Sequence, residues 1–388
     1  MDVVLCGVSG YGDQYASILF ENDKDINWVG AVDPFPERIP DKYKTNTSGL
    51  HVFDSLENFY KSKTADLCIV SSPIAFHSSQ SILALENGSH VYCEKPIAAL
   101  PGEVAAMIEA RDKSGKFLAV GYQMCHSDAL LKLKHDINET RIYGKPVRLK
   151  TRVLWPRDRD YYNRGSKWAG REKDSSGRWV LDSVANNATA HYLQNMLYIL
   201  GEKNRTIYPD TVTAVLMRAN PIQMYDTAFI RIEAGNTEIL FIASHCLEHE
   251  GGVQGIYEFE NGKIMYNNET GLTGILDNGE TIEYGNPHEP SQKIFWKLVS
   301  SLRGENEVGF SCPPEAASVH NRIMIAALLS AEIGTFETTD VKDNFVYVPG
   351  LDKICLDCYE NAAMPDEKWV NPGKKINLSD IRIDTYGS

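Results

Sequence analysis

Apolar and polar positions in the first third of the chain follow two different periods. Short continuous apolar runs, at 3–6, 28–32 and 66–70, have the length and composition of strands that are buried on both faces. The stretches between such runs carry apolar residues at helical spacing, as in 13–21 and 101–114. Strands that alternate with helices predict a parallel, doubly wound α/β sheet in this part of the chain.

From residue 211 onward the pattern changes to β-type runs with few helical stretches between them. These runs are 211–217, 227–233, 238–246, 255–260 and 263–266. Strands that follow one another without intervening helices predict an open, largely antiparallel or mixed sheet. With 388 residues, two domains are expected. We predict an α/β domain over 1–123 and an α+β substrate or oligomerisation domain over 124–388.

The first apolar strand runs into a glycine-rich turn, Gly7-Val8-Ser9-Gly10-Tyr11-Gly12, and a helical stretch follows it. In a strand–glycine turn–helix arrangement, backbone N–H groups at the helix N-terminus can hold a pyrophosphate. Ser9 replaces the second glycine of the G-x-G-x-x-G pattern, and serine is small enough to let the phosphate approach. The motif predicts a dinucleotide-binding turn. The expected cofactor contacts are Gly7, Ser9, Gly10, Tyr11 and Gly12.

The second strand ends at Asp33, about twenty residues beyond the glycine turn. A carboxylate at this place can accept hydrogen bonds from the ribose hydroxyls of an adenosine. The 2′-phosphate of NADP would meet a like charge there, and Pro34 offers no basic partner. This favours NAD over NADP as the cofactor. The alternative is that Asp33 is only a turn residue at the strand end.

A further buried strand, 89–93, ends at Glu94-Lys95-Pro96. Because Pro96 has no N–H group to donate, it ends the strand pairing and holds the backbone in a turn. The turn presents Glu94 and Lys95 at the carboxyl edge of the sheet, where ligands bind in open parallel sheets. A lysine there can exchange a proton with a substrate hydroxyl if burial or a neighbouring positive charge lowers its pKa. The alternative is a solvated lysine beside a glutamate.

Five motifs in the first 125 residues occur in the order and spacing of the Gfo/Idh/MocA family. They are Gly7–Gly12, Asp33, Ser72-Pro73 with His77, Glu94-Lys95-Pro96 and Gly121-Tyr122-Gln123. In these motifs the chain resembles that family of glucose-fructose oxidoreductase and inositol dehydrogenase relatives. The resemblance implies a Rossmann domain and an α+β domain whose open sheet carries an oligomer interface. It also implies NAD(P)-dependent redox chemistry on a sugar or cyclitol.

The resemblance also implies roles for residues at the edge of the first sheet. Glu94 is expected to help position the nicotinamide half of the cofactor, and Lys95 to act as the acid or base. The further cofactor contacts implied in this way are Ser71, Ser72, Pro73, His77, Lys95 and Gln123.

An unusual segment, 155–179, follows the first strand of the second half. It holds three tryptophans and seven basic residues against four acidic ones, in a chain whose net charge is −13. Aromatic faces can stack on sugar C–H surfaces, and arginine can bind hydroxyls, carboxylates or phosphates. We expect Trp155 and Arg157 to bind the substrate. The alternative is an oligomer contact rich in tryptophan and arginine.

A strongly apolar helix then ends at Gly201. Counting back from Gly201 aligns His191 and Asn187 with the histidine and aspartate of the family's Asp-x-x-x-His pattern. This implies a catalytic or substrate-binding role for His191 and a substrate contact for Asn187, although asparagine lacks the aspartate's charge. A second register, anchored on Asp182, would place Asn186 at the histidine position. The alternative for His191 is a hydrogen-bonded structural histidine.

His245 lies at the end of a predicted sheet strand, where we expect it to line the substrate cleft. Its neighbours Glu248 and His249 fall where the strand enters a turn at Gly251-Gly252, so successive side chains diverge. We therefore expect no metal site there. The Cys355-x-x-Cys358 pair lacks a second pair or a nearby histidine, which indicates two positions on one helix face.

The net charge of −13 argues against nucleic acid or an anionic membrane as the main partner. No stretch approaches the roughly twenty apolar residues of a membrane span. The chain enters its first strand without a basic n-region or cleavage site, which favours a cytoplasmic protein. We expect a small carbohydrate or cyclitol as the substrate, and a homodimer or homotetramer formed through the C-terminal sheet.

The leading hypothesis is an NAD-dependent dehydrogenase of a secondary alcohol in a sugar, sugar derivative or cyclitol. Lys95 would take the hydroxyl proton, and His191 would orient the hydroxyl or relay the proton. A second hypothesis keeps NAD tightly bound and recycles it while a glycoside is cleaved or epimerised. A third is a non-enzymatic nucleotide- or sugar-binding protein, which would need neither Lys95 nor His191.

Overall fold

The computed structural model of the chain describes residues 1–21, 26–44, 50–164, 167–305, 311–366, 370 and 373–386. The chain divides into two compact units, Met1–Gln123 with Pro290–Ser318, and Met124–Glu289 with Val319–Ser388. The predicted division after residue 123 coincides with one of these breaks. The prediction gave residues 290–318 to the second domain, whereas they return to the first unit.

The first unit is built around a parallel sheet. Its strands are β1 (Asp2–Cys6), β2 (Asn27–Val32), β3 (Val52–Phe53), β4 (Leu67–Val70), β5 (His90–Glu94) and β6 (Leu118–Gly121). They lie in the order β3-β2-β1-β4-β5-β6, and each neighbouring pair is parallel. The strand order reverses between β1 and β4, which is where ligands bind in doubly wound sheets. The predicted α/β fold is confirmed.

Helices connect these strands. They are α1 (Asp13–Phe20), α2 (Asp41–Lys44), α3 (Leu56–Tyr60), α4 (His77–Glu86) and α5 (Pro101–Ser114). Local sequence explains the bounds of α5. Pro101 opens it, because a first-turn residue needs no N–H bond, and Gly115 ends it in a left-handed conformation at φ +65°.

The remaining elements follow in chain order. The helices are α6 (Asp128–Asn138), α7 (Arg159–Asn163), α8 (Ala190–Leu200), α9 (Ser291–Leu302), α10 (Pro314–Ser330) and α11 (Leu351–Glu360). The strands are β7 (Pro146–Leu154), β8 (Thr211–Arg218), β9 (Thr227–Ala234), β10 (Thr237–Ser244), β11 (Gly252–Phe259), β12 (Gly262–Asn267), β13 (Gly271–Leu276), β14 (Thr281–Gly285), β15 (Ile333–Thr335), β16 (Asp340–Lys342), β17 (Phe345–Tyr347) and β18 (Ile376–Asn377). In the described part of the chain, no helix has the length and hydropathy to cross a membrane.

The second unit contains a large mixed sheet. Its strand order is β14-β13-β12-β11-β7-β10-β9-β8-β15, and β18 also pairs with β8. The β7–β10 and β8–β15 pairs are parallel, whereas the pairs from β11 to β14 and from β10 to β8 are antiparallel. The predicted open, largely antiparallel sheet is confirmed. The parallel pair β7–β10 places the ends of these two strands side by side.

The chain's own C-terminal part covers one face of this sheet. Leu351 and Cys355 of α11 belong to the same core cluster as Leu240 and Ile242 of β10. Lys150 on β7 donates to the carbonyl of Glu360 at 3.1 Å, which places a cation at the C-terminus of α11. The predicted oligomer contact through this sheet remains a prediction. It would have to use the surface that α11 leaves uncovered.

Candidate cofactor and substrate sites

The glycine turn after β1 is packed so closely that side chains cannot enter it. A Cβ atom at Gly12 would lie 1.8 Å from the carbonyl oxygen of Gly7. At Gly7, which has φ +77°, a Cβ would lie 2.6 Å from the carbonyl oxygen of Ser71. Gly10 has φ +66° and open space around its Cβ position. The turn therefore brings bare backbone to the N-terminus of α1, which is the arrangement that a pyrophosphate requires.

Asp33 lies beside this turn at the end of β2, and only 5% of it is exposed. Its Oδ2 accepts a hydrogen bond from the backbone N–H of Val8 at 3.3 Å. Its Oδ1 accepts one from the N–H of Phe35 at 3.0 Å. A cavity of about 320 Å³ opens next to it, and the residues that line it are Asp33, Pro36, Val52, Phe53 and Asp54. Among the described residues, this lining has two carboxylates and no basic side chain, so it favours ribose hydroxyls over a 2′-phosphate.

Glu94, the last residue of β5, is the centre of a buried hydrogen-bond cluster. Its Oε1 accepts from the Tyr15 hydroxyl at 2.5 Å and from Gln123 Nε2 at 2.8 Å. Its Oε2 accepts from the backbone N–H of Lys95 at 3.1 Å. Burial raises the pKa of Glu94 to about 7, against the lowering effect of Tyr15 and the positive charge of Lys95. These hydrogen bonds fix the backbone of Lys95, and therefore the position from which its side chain extends.

The raised pKa of Glu94 predicts a pH dependence of stability. In the unfolded chain the carboxyl ionises near its ordinary value of 4.5, but in the folded protein it does so near 7. The stabilisation from the protonated form is therefore complete below about pH 4.5 and is lost as the pH rises through 7. We expect this loss to be roughly 3 kcal/mol. Urea unfolding of wild type and Glu94→Gln across this range measures it, because glutamine does not titrate. An unfolding free-energy difference between the two proteins that stays constant with pH would contradict it.

His77, at the start of α4, connects the end of β4 to the Glu94-Lys95-Pro96 turn. Its Nε2 lies 2.8 Å from the carbonyl oxygen of Ser72, and its Nδ1 lies 2.8 Å from that of Pro96. Burial lowers the pKa of His77, so the ring is neutral and donates to one of these carbonyls. The Lys95–Pro96 peptide is cis. His77 thus lies between the two backbone segments and donates to one of them, and the predicted direct contact with the cofactor stays a prediction.

In the second unit, the structure brings Trp155, Arg157 and His245 together. Leu154 and Ser244 are paired at the ends of the parallel strands β7 and β10, so the residues that follow them run side by side. The N–H of Arg157 donates to the carbonyl of His245 at 3.1 Å. His245 Nδ1 lies 2.7 Å from the carbonyl oxygen of Trp155. These predicted substrate residues therefore form one cluster.

The electrostatics of His245 make it a hydrogen-bond acceptor. Burial lowers its pKa to about 3, and the positive charges of Arg157 and Arg164 contribute to this. The neutral ring donates from Nδ1 to Trp155, which leaves a lone pair on Nε2. Nε2 is buried and has no hydrogen-bond partner among the described residues. The ring of Tyr161 lies 5.7 Å from the imidazole, centre to centre.

The segment that leads into α8 holds both possible registers, Asn187 with His191 and Asp182 with Asn186. Val184–Ala188 form a π-helical turn in this segment. The two registers differ by five residues, so this turn does not decide between them. Asn187 Nδ2 donates to Asp182 Oδ1 at 2.8 Å, so a carboxylate lies beside the asparagine after all. His191 lies in the first turn of α8.

The predicted catalytic pair belongs to two different units. Lys95 is a partly buried residue of the first unit, and His191 is a partly buried residue of the second. Trp155 packs edge-on against Tyr192, at 5.4 Å between ring centres, which connects the Trp155 cluster to the start of α8. Within the predicted substrate segment, residues 165–166 lie outside the described residues.

Comparison with known proteins identifies the first unit. Residues 1–122 match the Gfo/Idh/MocA family, described as an oxidoreductase family with an NAD-binding Rossmann fold. The chain carries the NAD-binding domain of the Gfo/Idh/MocA oxidoreductases. The resemblance in the sequence motifs is thereby confirmed, as is the prediction of an NAD-binding fold.

Known proteins that are similar to this chain include dehydrogenases. It is 32% identical to a scyllo-inositol 2-dehydrogenase (NADP(+)) of Bacillus subtilis over 77 residues, which are 20% of this chain and 24% of that protein. It is 29% identical to the D-glucoside 3-dehydrogenase of Escherichia coli over 131 residues, which are 33% and 36% of the two chains. The first match covers about a quarter of the length of that relative, and the second covers about a third.

A solved structure resembles the chain over more of its length. It is the WlbA dehydrogenase from Bordetella pertussis, in complex with NADH and UDP-GlcNAcA. The TM-score is 0.69, the identity is 19%, and the match covers 84% of this chain and 95% of that one. At this identity the likeness concerns the fold.

The residues of the first unit fit a bound NAD at the places described above. The bare glycine turn would hold the pyrophosphate, and Asp33 with its cavity would hold the adenosine ribose. Sequence reasoning missed two supports of the sites, Tyr15 at Glu94 and Asp182 at Asn187. Asp182 could have been recognised from the sequence, because it anchors the alternative register. Tyr15 could not, because nothing in the sequence distinguishes it from other helix residues.

Proposed function

We propose that the protein is an NAD-dependent oxidoreductase that acts on a secondary alcohol of a sugar, sugar derivative or cyclitol. The observation that carries the proposal is a partly buried lysine, Lys95, held at the carboxyl edge of an NAD-binding sheet. The inositol and glucoside named in its relatives support a polyhydroxylated ring as the substrate. When bound, NAD accepts or supplies the hydride.

Lys95 is proposed to hold and release the hydroxyl proton of the substrate. Its backbone is fixed on one side by Glu94, through the bond from its N–H to Oε2. It is fixed on the other side by His77, whose ring contacts the Pro96 carbonyl. A proton donor or acceptor needs such fixed placement, because proton transfer depends on hydrogen-bond geometry before it depends on pKa.

The second unit is proposed to bind the substrate through residues of the Trp155 cluster and the start of α8. Trp155 offers an aromatic face, and Arg157 offers donors to ring hydroxyls or a carboxylate. His245 offers its Nε2 lone pair to a hydroxyl group. Two further side chains, Asn187 and His191, are proposed to contact the substrate, with His191 orienting the reacting hydroxyl or relaying its proton.

Replacing His245 with phenylalanine is expected to raise KM for the substrate about tenfold while kcat changes less. Phenylalanine keeps an aromatic ring but removes the Nε2 acceptor, and it also removes the Nδ1–H donor to the Trp155 carbonyl. The lost hydrogen bond to the substrate accounts for a change of that size. Because the pKa of His245 is about 3, the ratio of the two KM values is expected to stay constant between about pH 5 and 8. Steady-state kinetics over this range measure it. An unchanged KM, or a ratio that titrates near pH 6, would contradict the assignment.

The experiment that tests the proposed function is incubation of the purified protein with NAD and a panel of free sugars, uronates, inositols and glycosides. Both NADH formation and product mass are followed. NADH that forms with one substrate class supports the proposal and narrows the substrate. Cleaved or epimerised product without net NADH would favour a redox-neutral enzyme that recycles its NAD. No product and no binding of any nicotinamide cofactor would favour a binding protein.

A further inference from the structure

The seven basic side chains of segment 155–179 fall into two groups. Four of them have partners. Three lie over aromatic rings: Arg157 over Trp155 at 5.7 Å, Arg164 over Tyr161 at 3.7 Å and Lys173 over Trp179 at 3.8 Å. The fourth, Arg178, pairs with Asp174 at 2.8 Å. The other three are Arg159, Lys167 and Arg171. Their side chains make no hydrogen bond, ion pair or ring contact with any residue that the structure describes.

All three unpartnered cations line the same cavity of the second unit. It has a volume of about 270 Å³, and residues 220–223 and Tyr162 form other parts of its wall. None of the four acidic residues of segment 155–179 is among the described lining residues. Three cations that approach one cavity without a carboxylate repel one another. An anion in the cavity would relieve that repulsion.

Hydrogen bonds hold the two walls of this cavity in place. The N–H of Gly170 donates to Asp182 Oδ2 at 2.6 Å, and the carbonyl of Gly170 accepts from the N–H of Gln223 at 3.0 Å. Arg218 donates to the carbonyls of Ile222 at 3.2 Å and Gln223 at 2.9 Å. The cavity is therefore preformed, so a ligand does not have to order these backbone segments.

Gln223 adds a neutral donor to the lining. Its Oε1 accepts a hydrogen bond from the backbone N–H of Glu172 at 3.1 Å. The amide is thereby oriented, and its NH₂ group is the part that a ligand can use. The polar groups of this lining thus include two guanidinium groups, an ammonium group and an amide donor, all of which favour acceptor oxygens.

We propose that this cavity binds the phosphate group of a small phosphorylated molecule, with Arg159, Lys167 and Arg171 as its cationic contacts. A phosphate carries nearly two negative charges and three strong acceptor oxygens, which suits three convergent cations better than a single carboxylate does. The volume is close to the lower end of small-molecule sites, about 300 Å³. It leaves room for a small organic group beside the phosphate.

The test is a titration of the full chain with inorganic phosphate at constant ionic strength, without NAD or substrate, while Tm is recorded. Binding to the folded state raises Tm, and above the dissociation constant the rise grows with the logarithm of the phosphate concentration. The double variant Lys167→Gln/Arg171→Gln is expected to bind phosphate ~10-fold or more weakly. The matched control, Lys173→Gln/Arg178→Gln, removes the same charges from the same segment and is expected to bind as wild type does. All four of the side chains replaced in these two variants are exposed, so both variants should fold.

Two results would overturn the proposal: a wild-type Tm that does not rise with phosphate concentration, or equal weakening in both double variants. The titration does not depend on turnover, so its outcome is separate from that of the proposed function. The phosphate could belong to the substrate or to a separate effector. If it belongs to the substrate, inorganic phosphate competes with the substrate. It then raises KM for the substrate in the wild type but not in Lys167→Gln/Arg171→Gln. If it belongs to an effector, KM competition is absent while the Tm response remains.

Discussion

Replacing Lys95 with alanine is expected to lower kcat about a hundredfold to ten-thousandfold, while NAD affinity changes much less. This is the range that general acid–base catalysis contributes in enzymes. The reason is that the variant removes the group proposed to exchange the hydroxyl proton and leaves the glycine turn and Asp33 untouched. Steady-state kinetics with the best substrate of the panel, together with an NAD titration followed by fluorescence, separate these two effects.

Two control variants sharpen the test of Lys95. Lys95→Arg keeps the positive charge but cannot give up its proton at working pH, so it is expected to be nearly as inactive as the alanine variant. Lys113→Ala removes an exposed lysine of the same unit that pairs with Glu109, and it is expected to keep full activity. Normal turnover by Lys95→Ala would show that another group moves the proton.

Replacing Gly12 with alanine is expected to weaken NAD binding about tenfold to a hundredfold and to lower the stability of the first unit. The added Cβ would lie 1.8 Å from the carbonyl oxygen of Gly7, so the turn has to shift. Shifts of this kind cost roughly 1–3 kcal/mol. An NAD titration and a urea unfolding curve of the same preparation measure both effects.

Gly115→Ala serves as the matched control for Gly12→Ala. Gly115 has φ +65° at the C-terminus of α5, and nothing lies within 4 Å of its Cβ position. Alanine there is strained by ~1 kcal/mol but meets no atom. It should therefore lower stability without changing NAD affinity. Wild-type NAD affinity in Gly12→Ala, or equal loss of affinity in both variants, would show that the turn does not hold the cofactor.

The parallel sheet was predictable because most of its strands are short apolar runs bounded by turn residues, whereas the two-residue strand β3 was not predicted. The local sequence predicts that β1 ends at the glycines and that β5 ends before Pro96. The position of α9 was not predictable in this way. Its apolar residues Phe295, Leu298 and Val299 pack in a core whose other members lie in the first 120 residues. Local periodicity predicts a helix but not its distant partner.

The candidate sites show the same division between local and long-range information. The sequence places Lys95 and Glu94 on one turn, but the partner of Glu94, Tyr15, is 79 residues away along the chain. Val184–Ala188 form a π-helical turn before α8, and periodicity alone does not reveal such a turn. The pairing of Asn187 with Asp182 could therefore be recognised only in three dimensions.

Transfer of deuterium to NAD is the most direct test of the central claim, which is hydride transfer between a secondary alcohol and the cofactor. The protein is mixed with NAD and a substrate that carries deuterium on the reacting carbinol carbon. The cofactor is then recovered, and its mass is measured by mass spectrometry. We predict that the NADH formed carries one deuterium, and that Lys95→Ala forms it about a hundredfold to ten-thousandfold more slowly. Unlabelled cofactor with each substrate that the protein converts would contradict the account.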